Sequence, residues 1–226
     1  NYFLFTPLLH EVATGNIRPK NIVEPLRKFI HRPDRLVVCE VVRINTRSRK
    51  VETAGGTYPY DYCVSALGSE SDTARVPGAS EHATALKTLD DARALKNTIL
   101  GAFERRCRIR EDESIPRFVV VGGGPTGVEI AAEIADLIKH TMARYYPTCL
   151  TERAEVVLVH SGNELVPRFP RAVQTKSAQV LAKKRVTVVL NERVAEVLPE
   201  SVVFESARAL EAEAVFVGQE SAGAGD

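Results

Sequence analysis

Apolar residues recur along this chain in two rhythms. The first is strand-like. Residues 36–44 (LVVCEVVRI) are β-branched and apolar and predict a strand. Residues 50–53 and 57–60 flank Gly55-Gly56, a dipeptide of the hairpin type. Residues 62–67 form a short apolar run that ends at Gly68, and Pro77-Gly78 marks a turn. From residue 88 to about 108 the rhythm becomes helical. Leu89, Ala92, Leu95, Ile99, Ala102 and Phe103 follow one another at three- and four-residue steps, and Thr88 with Asp91 makes a capping pair at the start.

The second half alternates the two rhythms. A charged linker closes at Pro116, which places a domain boundary near residue 114: residues 1–113 and 114–226 read as separate units. An all-apolar strand, residues 118–121 (FVVV), then runs into glycines at 122–127 and a helix over 125–143, with apolar Val128, Ala131, Ala132, Ala135, Leu137 and Ile138. A strand at 155–159 (EVVLV), a helix at 171–184 and a strand at 186–190 follow, with shorter strands at Val202-Val203 and 214–217. Such alternation predicts a parallel α/β sheet.

The candidate chemistry sits at the first strand–helix junction, FVVVGGGPTGVEIAAEIADL. Gly122, Gly124 and Gly127 satisfy G-x-G-x-x-G directly after a strand and at the head of an Ala-rich helix, the context that gives this pattern meaning. Gly122 lets the chain turn sharply, Gly124 lets a pyrophosphate approach the backbone, and Gly127 lets the helix pack close to the sheet. Free N–H groups along Gly122-Gly123-Gly124-Pro125-Thr126-Gly127, at the positive end of the helix dipole, would hold phosphates. The second strand should end in a carboxylate that binds the adenosine ribose, roughly 20 residues beyond the glycines. Here it ends in His160-Ser161, and the insert at residues 144–153 lengthens the spacing. Two readings stay open. Either the missing negative charge admits NADPH alongside NADH, or His160 simply donates to the ribose.

Charge and composition add exclusions. Net charge is +1 and charged residues make up 26% of the chain. Arg105, Arg106, Arg108 and Arg110 cluster, but Glu104, Glu111, Asp112 and Glu113 flank them, so the cluster reads as a solvated helix end and no nucleic-acid partner is expected. The four cysteines include no C-x-x-C pair and no His at metal-ligand spacing, so neither a metal site nor a disulfide framework is expected. Cys39 and Cys63 lie in apolar runs and read as buried thiols. No apolar stretch approaches the roughly 18 residues of a membrane span. The chain opens on an apolar run in mid-pattern and closes on a small polar tail, which suggests a piece of a longer protein.

With these motifs in view the chain resembles the type II NADH dehydrogenases. NYFLFTPLLHEVATGNI at residues 1–17, YDYCVSALGSESDTARVPGASEHATALKTLDDARALK at 60–96 and RFVVVGGGPTGVEIAAEIADL at 117–137 are similar to three blocks of that family, over about residues 1–205. The resemblance implies an incomplete α/β flavoprotein fold with two dinucleotide-binding domains, part of the FAD domain followed by a parallel-sheet NAD(P)H domain with a β-meander. Thr6, Pro7, Leu8 and Leu9 match the stretch that lines the flavin ring. Val41 matches a position near the flavin adenine, and Ala66 and Gly68 match a strand end at the FAD phosphates. Glu129 matches a Glu near the nicotinamide, the one residue assigned to catalysis, and Gly218 matches a glycine closing over that ring.

The activity so implied is hydride transfer from NADH to FAD and electron delivery to a quinone, without proton pumping, in a protein bound peripherally to the mitochondrial inner membrane or a bacterial plasma membrane, and able to form a homodimer. The alternatives are a quinone reductase similar to apoptosis-inducing factor, a disulfide reductase, a protein that binds NAD(P)H without catalysis, and a non-functional gene fragment. Departures from the family pattern are the missing first FAD glycine motif, the missing Gly-Asp motif for the ribityl phosphate, the missing C-terminal membrane anchor and His160 in place of the acid. A chain with these gaps is expected to fold its NAD-binding half and to hold FAD poorly.

Overall fold

The chain builds its sheets in an order that the sequence rhythm only partly announces. In the computed structural model the described residues are 2–30, 32, 36–68, 73, 76–108 and 115–218. Strand β1 (Tyr2–Leu4) is followed by a 3-10 turn, Thr6–Leu8, and helix α1 (Leu9–Thr14), which Gly15 ends in a left-handed conformation, φ 83°. Strand β2 (Val23–Pro25) pairs antiparallel with β1. Strands β3 (Val41–Asn45), β4 (Lys50–Thr53) and β5 (Gly56–Pro59) form an antiparallel meander of their own. Thr53 faces Gly56 across the second turn, close to the predicted Gly-Gly hairpin.

After helix α2 (Ala79–His82) and strand β6 (Ala83–Ala85) comes the long helix α3 (Leu89–Arg108). Its start is the capping pair read from the sequence. The Asp91 carboxylate accepts from the Thr88 and Lys87 backbone N–H groups at 2.7 and 3.0 Å, and the Asp91 N–H donates to Thr88 Oγ1 at 3.1 Å. All six of the helix's predicted apolar positions lie on its inner side, and five of them, Ala92, Leu95, Ile99, Ala102 and Phe103, are fully buried.

Strand β7 (Arg117–Val121), helix α4 (Pro125–Asp136), helix α5 (Thr148–Arg153), strand β8 (Glu155–Val159), helix α6 (Arg171–Lys183) and strand β9 (Val186–Val189) supply the alternating core. Strands β10 (Val194–Leu198), β11 (Ser201–Phe204) and β12 (Ala209–Glu211) form a second antiparallel meander, and β13 (Ala214–Val217) returns to the main sheet. That sheet has five strands in the order β6-β13-β7-β8-β9, all parallel.

Alternate residues of a strand face opposite sides of its sheet, and this divides the molecule into three layers. Phe118 and Val120 of β7, Leu158 of β8 and Phe216 of β13 face the helices, where they pack with Phe103, Ile130, Ile134 and Leu181. Val119 and Val121, Val157 and Val159, and Val215 face the meander β10–β12 and its Val197, Val202 and Phe204. Both faces of the central strands β13, β7 and β8 are therefore buried, which is why those strands read as continuous apolar runs. Phe103 stacks on Phe118 with ring centroids 6.1 Å apart and an 11° interplanar angle, and tilts against Tyr146 at 5.3 Å.

The sequence expectations meet several corrections. The strand predicted over 36–44 exists only as Val41–Asn45, because β3 has a partner, β4, only from Val41 onward. The apolar run at 62–67 is exposed and forms no strand, since no strand runs beside it among the described residues. Ala66 and Gly68 therefore do not sit at a strand end. Cys63 is exposed and Cys39 only half-buried, so neither is the buried thiol expected. The helix over 125–143 keeps its length but changes gauge: α4 passes at Leu137 into a π turn (Leu137–Thr141) and then a 3-10 turn (Met142–Arg144), which buries Leu137, Ile138 and Met142. β6 completes the main sheet and α3 the main core, although both precede residue 114.

The arginine cluster is also not simply solvated. Arg105 and Arg106 both bind the Glu213 carboxylate, and the Arg106 and Glu213 side chains are only 12% and 14% exposed. Arg110 lies outside the described residues. Among the described residues no helix is long and apolar enough to cross a membrane, and no group of His, Cys, Asp and Glu is arranged to hold a metal ion.

Candidate nucleotide site

The glycine turn stands at the C-terminal edge of the parallel sheet, where a βαβ unit presents the start of its helix. Gly122 has φ 111°, a conformation that side chains rarely adopt, and its N–H donates to Val159 O at 2.9 Å. A Cβ on Gly127 would lie 1.8 Å from the Gly122 carbonyl oxygen, so the helix can approach the turn only because the residue is glycine. Gly124 caps α4 with φ −74° and ψ −179°, values open to any residue; its glycine is spent on the space in front of it. Pro125 at the first helical position has no N–H to lose, and the first-turn N–H groups of Thr126 and Gly127 have no acceptor inside the helix.

A cleft of about 590 Å³ opens over this turn. Gly122, Gly123, Gly124 and Pro125 form its floor, and His160 and Gly218 line it. The structure thus brings together five glycine-motif or strand-end residues and the distant Gly218. Gly218 is buried beside Gly127: its N–H donates to Val121 O at 2.9 Å, and a Cβ there would fall 2.4 Å from Gly127 Cα. Thr126 is the next residue of the same helix start but is not a wall of the cleft.

His160 lies against the turn itself. Its Nδ1 accepts the Gly123 N–H at 3.1 Å, and a Cβ on Gly123 would meet the imidazole Cγ at 2.6 Å. Burial lowers the His160 pKa below its ordinary value, so the ring is neutral near pH 7 with its proton on Nε2. The rest of the cleft comes from loops that carry no periodic signal. Val166, Arg168 and Phe169 follow β8, Glu192 and Arg193 precede β10, and Glu205 follows β11. Val166 donates its N–H to Gly123 O at 2.8 Å with φ 44°, which clamps that loop across the turn. Arg193 pairs with Glu205 at 3.5 Å. The sequence offered one hint of this wall, the basic residues Arg168 and Arg171 beside Pro167 and Pro170 after the strand.

Glu129 lies elsewhere. It is exposed on the side of α4 that faces α1, where its carboxylate meets His10 Nδ1 at 3.5 Å. One turn further on, Glu133 accepts from Thr14 Oγ1 at 3.1 Å and Asn16 Nδ2 at 2.7 Å. Desolvation raises the Glu129 pKa and the Glu133 charge raises it further, while His10 pulls it down. The structure therefore places Glu129 between the nucleotide helix and the segment that follows Thr6, Pro7 and Leu8.

The residues matched to a flavin site lie apart from this cleft. Thr6, Pro7, Val41, Ala66 and Gly68 are exposed, while Leu8 packs against the core beside the buried Leu9. None of them lines the cavity at the glycine turn.

Comparison with known proteins adds identity to this geometry. The family model described as pyridine nucleotide-disulphide oxidoreductase matches residues 1–219. An external alternative NAD(P)H-ubiquinone oxidoreductase of Solanum tuberosum mitochondria is 31% identical over 215 residues, covering 87% of this chain and 37% of the relative. An external NADH-ubiquinone oxidoreductase of Saccharomyces cerevisiae mitochondria is 29% identical over 214 residues, covering 88% and 39%. The structure of NDH2 from Plasmodium falciparum in complex with NADH superimposes with a TM-score of 0.86 at 24% identity, covering 98% of this chain and 49% of that one, which fixes the fold. The chain spans well under half the length of the curated relatives it matches. The family match runs through both the glycine turn and the segments ahead of it, and the chain belongs to the pyridine nucleotide-disulphide oxidoreductase family.

Proposed function

We propose that this chain is the nucleotide-binding part of a type II NAD(P)H:quinone oxidoreductase, in which a nicotinamide dinucleotide gives a hydride to FAD and the electrons pass to a quinone. The observation that carries the reading is the interlocked glycine cradle: Gly127 against Gly122 and Gly218 against Gly127, at the mouth of a 590 Å³ cleft. Three residues without side chains in mutual contact let the start of α4 and the turn before it close up beside a space of the right size for a dinucleotide. The family supplies the flavin, and the flavin supplies the redox chemistry when bound.

The chain's own residues bind and orient. The turn from Gly122 to Pro125, with the start of α4 behind it, holds the diphosphate, and Gly218 forms the wall nearest the sheet. Glu129 is an acid at the contact between α4 and α1, near the nicotinamide end. The mitochondrial relatives named NAD(P)H-ubiquinone oxidoreductases support a quinone as acceptor and the mitochondrion as the location. Peripheral attachment to the inner membrane and a homodimer belong to the same proposal.

The test is an assay of the flavin-loaded protein with NADH and a soluble ubiquinone analogue. A saturable, quinone-dependent fall in nicotinamide absorbance is the expected result. Nucleotide binding without any quinone-dependent turnover would overturn the enzymatic reading and leave a binding protein.

A further inference from the structure

The residue at the end of β8 is not an inert replacement for an acid. His160 holds the Gly123 N–H on its Nδ1 at 3.1 Å, and its Nε2 edge lies beside Gly162, where a Cβ would come within 2.8 Å of that nitrogen. One hydrogen bond therefore fixes both the ring's position and its tautomer. A neutral ring bound this way presents a single donor, Nε2–H. A protonated imidazole has no acceptor nitrogen and cannot keep the Gly123 bond.

We propose that His160 selects between NADH and NADPH according to its protonation, resting on the reading of this cleft as the nucleotide site. In the neutral state the ring stays on Gly123 and offers one N–H to an adenosine ribose hydroxyl. In the protonated state it releases the Gly123 N–H, turns into the cleft and faces the 2′-phosphate as a cation. NADPH binding then takes up a proton, and NADH binding does not.

The surroundings suit this choice. Burial disfavours the charged ring, so the proton arrives with the phosphate. The glycine turn that packs against the ring brings no titratable side chain. The loop after β8 brings Arg168 to the cleft, the loop before β10 brings Glu192 and Arg193, and the turn after β11 brings Glu205. Arg193 is paired with Glu205 at 3.5 Å, and the two arginines and two glutamates of this wall carry no net charge between them.

The experiment is calorimetric titration of the full chain with NAD⁺ and NADP⁺, which bind without reacting, from pH 6 to pH 8 in buffers of different ionisation enthalpy. Wild-type affinity for NADP⁺ relative to NAD⁺ should rise by up to about tenfold for each pH unit lowered, with uptake of about one proton per NADP⁺. A 2′-phosphate has its own ionisation near pH 6 and becomes less negative as pH falls, so its titration alone would drive the ratio the other way. His160→Gln keeps an acceptor for Gly123 but cannot titrate, and should abolish both the slope and the uptake. His160→Glu should favour NAD⁺ throughout. A wild-type ratio that does not change with pH, or a His160→Gln protein with the wild-type slope, overturns the proposal while leaving the nucleotide site intact. Absence of saturable binding of either nucleotide overturns the site as well.

Discussion

A methyl group on Gly127 would lie 1.8 Å from the carbonyl oxygen of Gly122. No rotamer change relieves such an overlap, because the backbone fixes where Cβ lies and the oxygen it meets is itself a backbone atom. Gly127→Ala must push α4 away from β7 or distort a turn already at φ 111°. Overpacking of this kind costs roughly 1–3 kcal/mol. We expect a lower urea midpoint together with at least a tenfold loss of NADH affinity, measured by nicotinamide fluorescence. Wild-type values for both would show that the junction is not tight.

Gly124 provides the contrasting case. Its φ of −74° suits any residue, so a side chain there obstructs the ligand more than the fold. Gly124→Val should change stability by about 1–2 kcal/mol at most, the range of a weakened helix cap. NADH affinity should fall by more than tenfold. A variant that binds NADH normally would remove the diphosphate from this turn.

The pH dependence of Glu129 has a definite sign. Its pKa is raised in the folded chain, first by desolvation and then by Glu133, with His10 opposing. The folded state therefore holds this proton more tightly than the unfolded state, and stability falls as pH rises from the ordinary Glu value through the raised one. Glu129→Gln lacks this penalty. Its melting temperature relative to wild type should be higher at pH 7 than at pH 4, as thermal melts at the two values would reveal. An equal difference at both pH values would count against a strained carboxylate.

Glu213 joins α3 to the strand β13 through Arg105 and Arg106. Removing one partner of a largely buried pair costs about 3–5 kcal/mol, because the remaining charge stays desolvated. Glu213→Ala should approach that loss in chemical denaturation, whereas Arg105→Ala, with a side chain 61% exposed, should cost no more than about 1 kcal/mol. A Glu213→Ala cost no larger than about 1 kcal/mol would count against a desolvated pair with Arg106.

Much of this was legible in the residues themselves, wherever the signal is local. Thr88 and Asp91 announce the start of α3 because a cap is a contract between residues three apart. The glycines at 122, 124 and 127 announce the cleft because each answers a steric need within one turn. What escaped is non-local. Nothing in Ala83-Thr84-Ala85 shows that it borders β13, and nothing near Arg106 points to Glu213. The apolar run at 62–67 misled because strand propensity is realised only beside a partner strand. Similarly, His160 was visible as the missing acid, but its bond to Gly123 required the fold. The loop that supplies Val166, Arg168 and Phe169 has no periodicity to read.

The strand order carries a consequence for how the chain assembles. β13 lies between β6 and β7, although β7, β8 and β9 all come before it in sequence. The main sheet stays split, with two bare apolar edges, until residues 214–217 slide into the gap. Contacts this distant in sequence form slowly, so closure of the sheet waits on β13. A ribosome that stalls before Ala214 would release a chain whose β6 and β7 edges are open to strands of other chains.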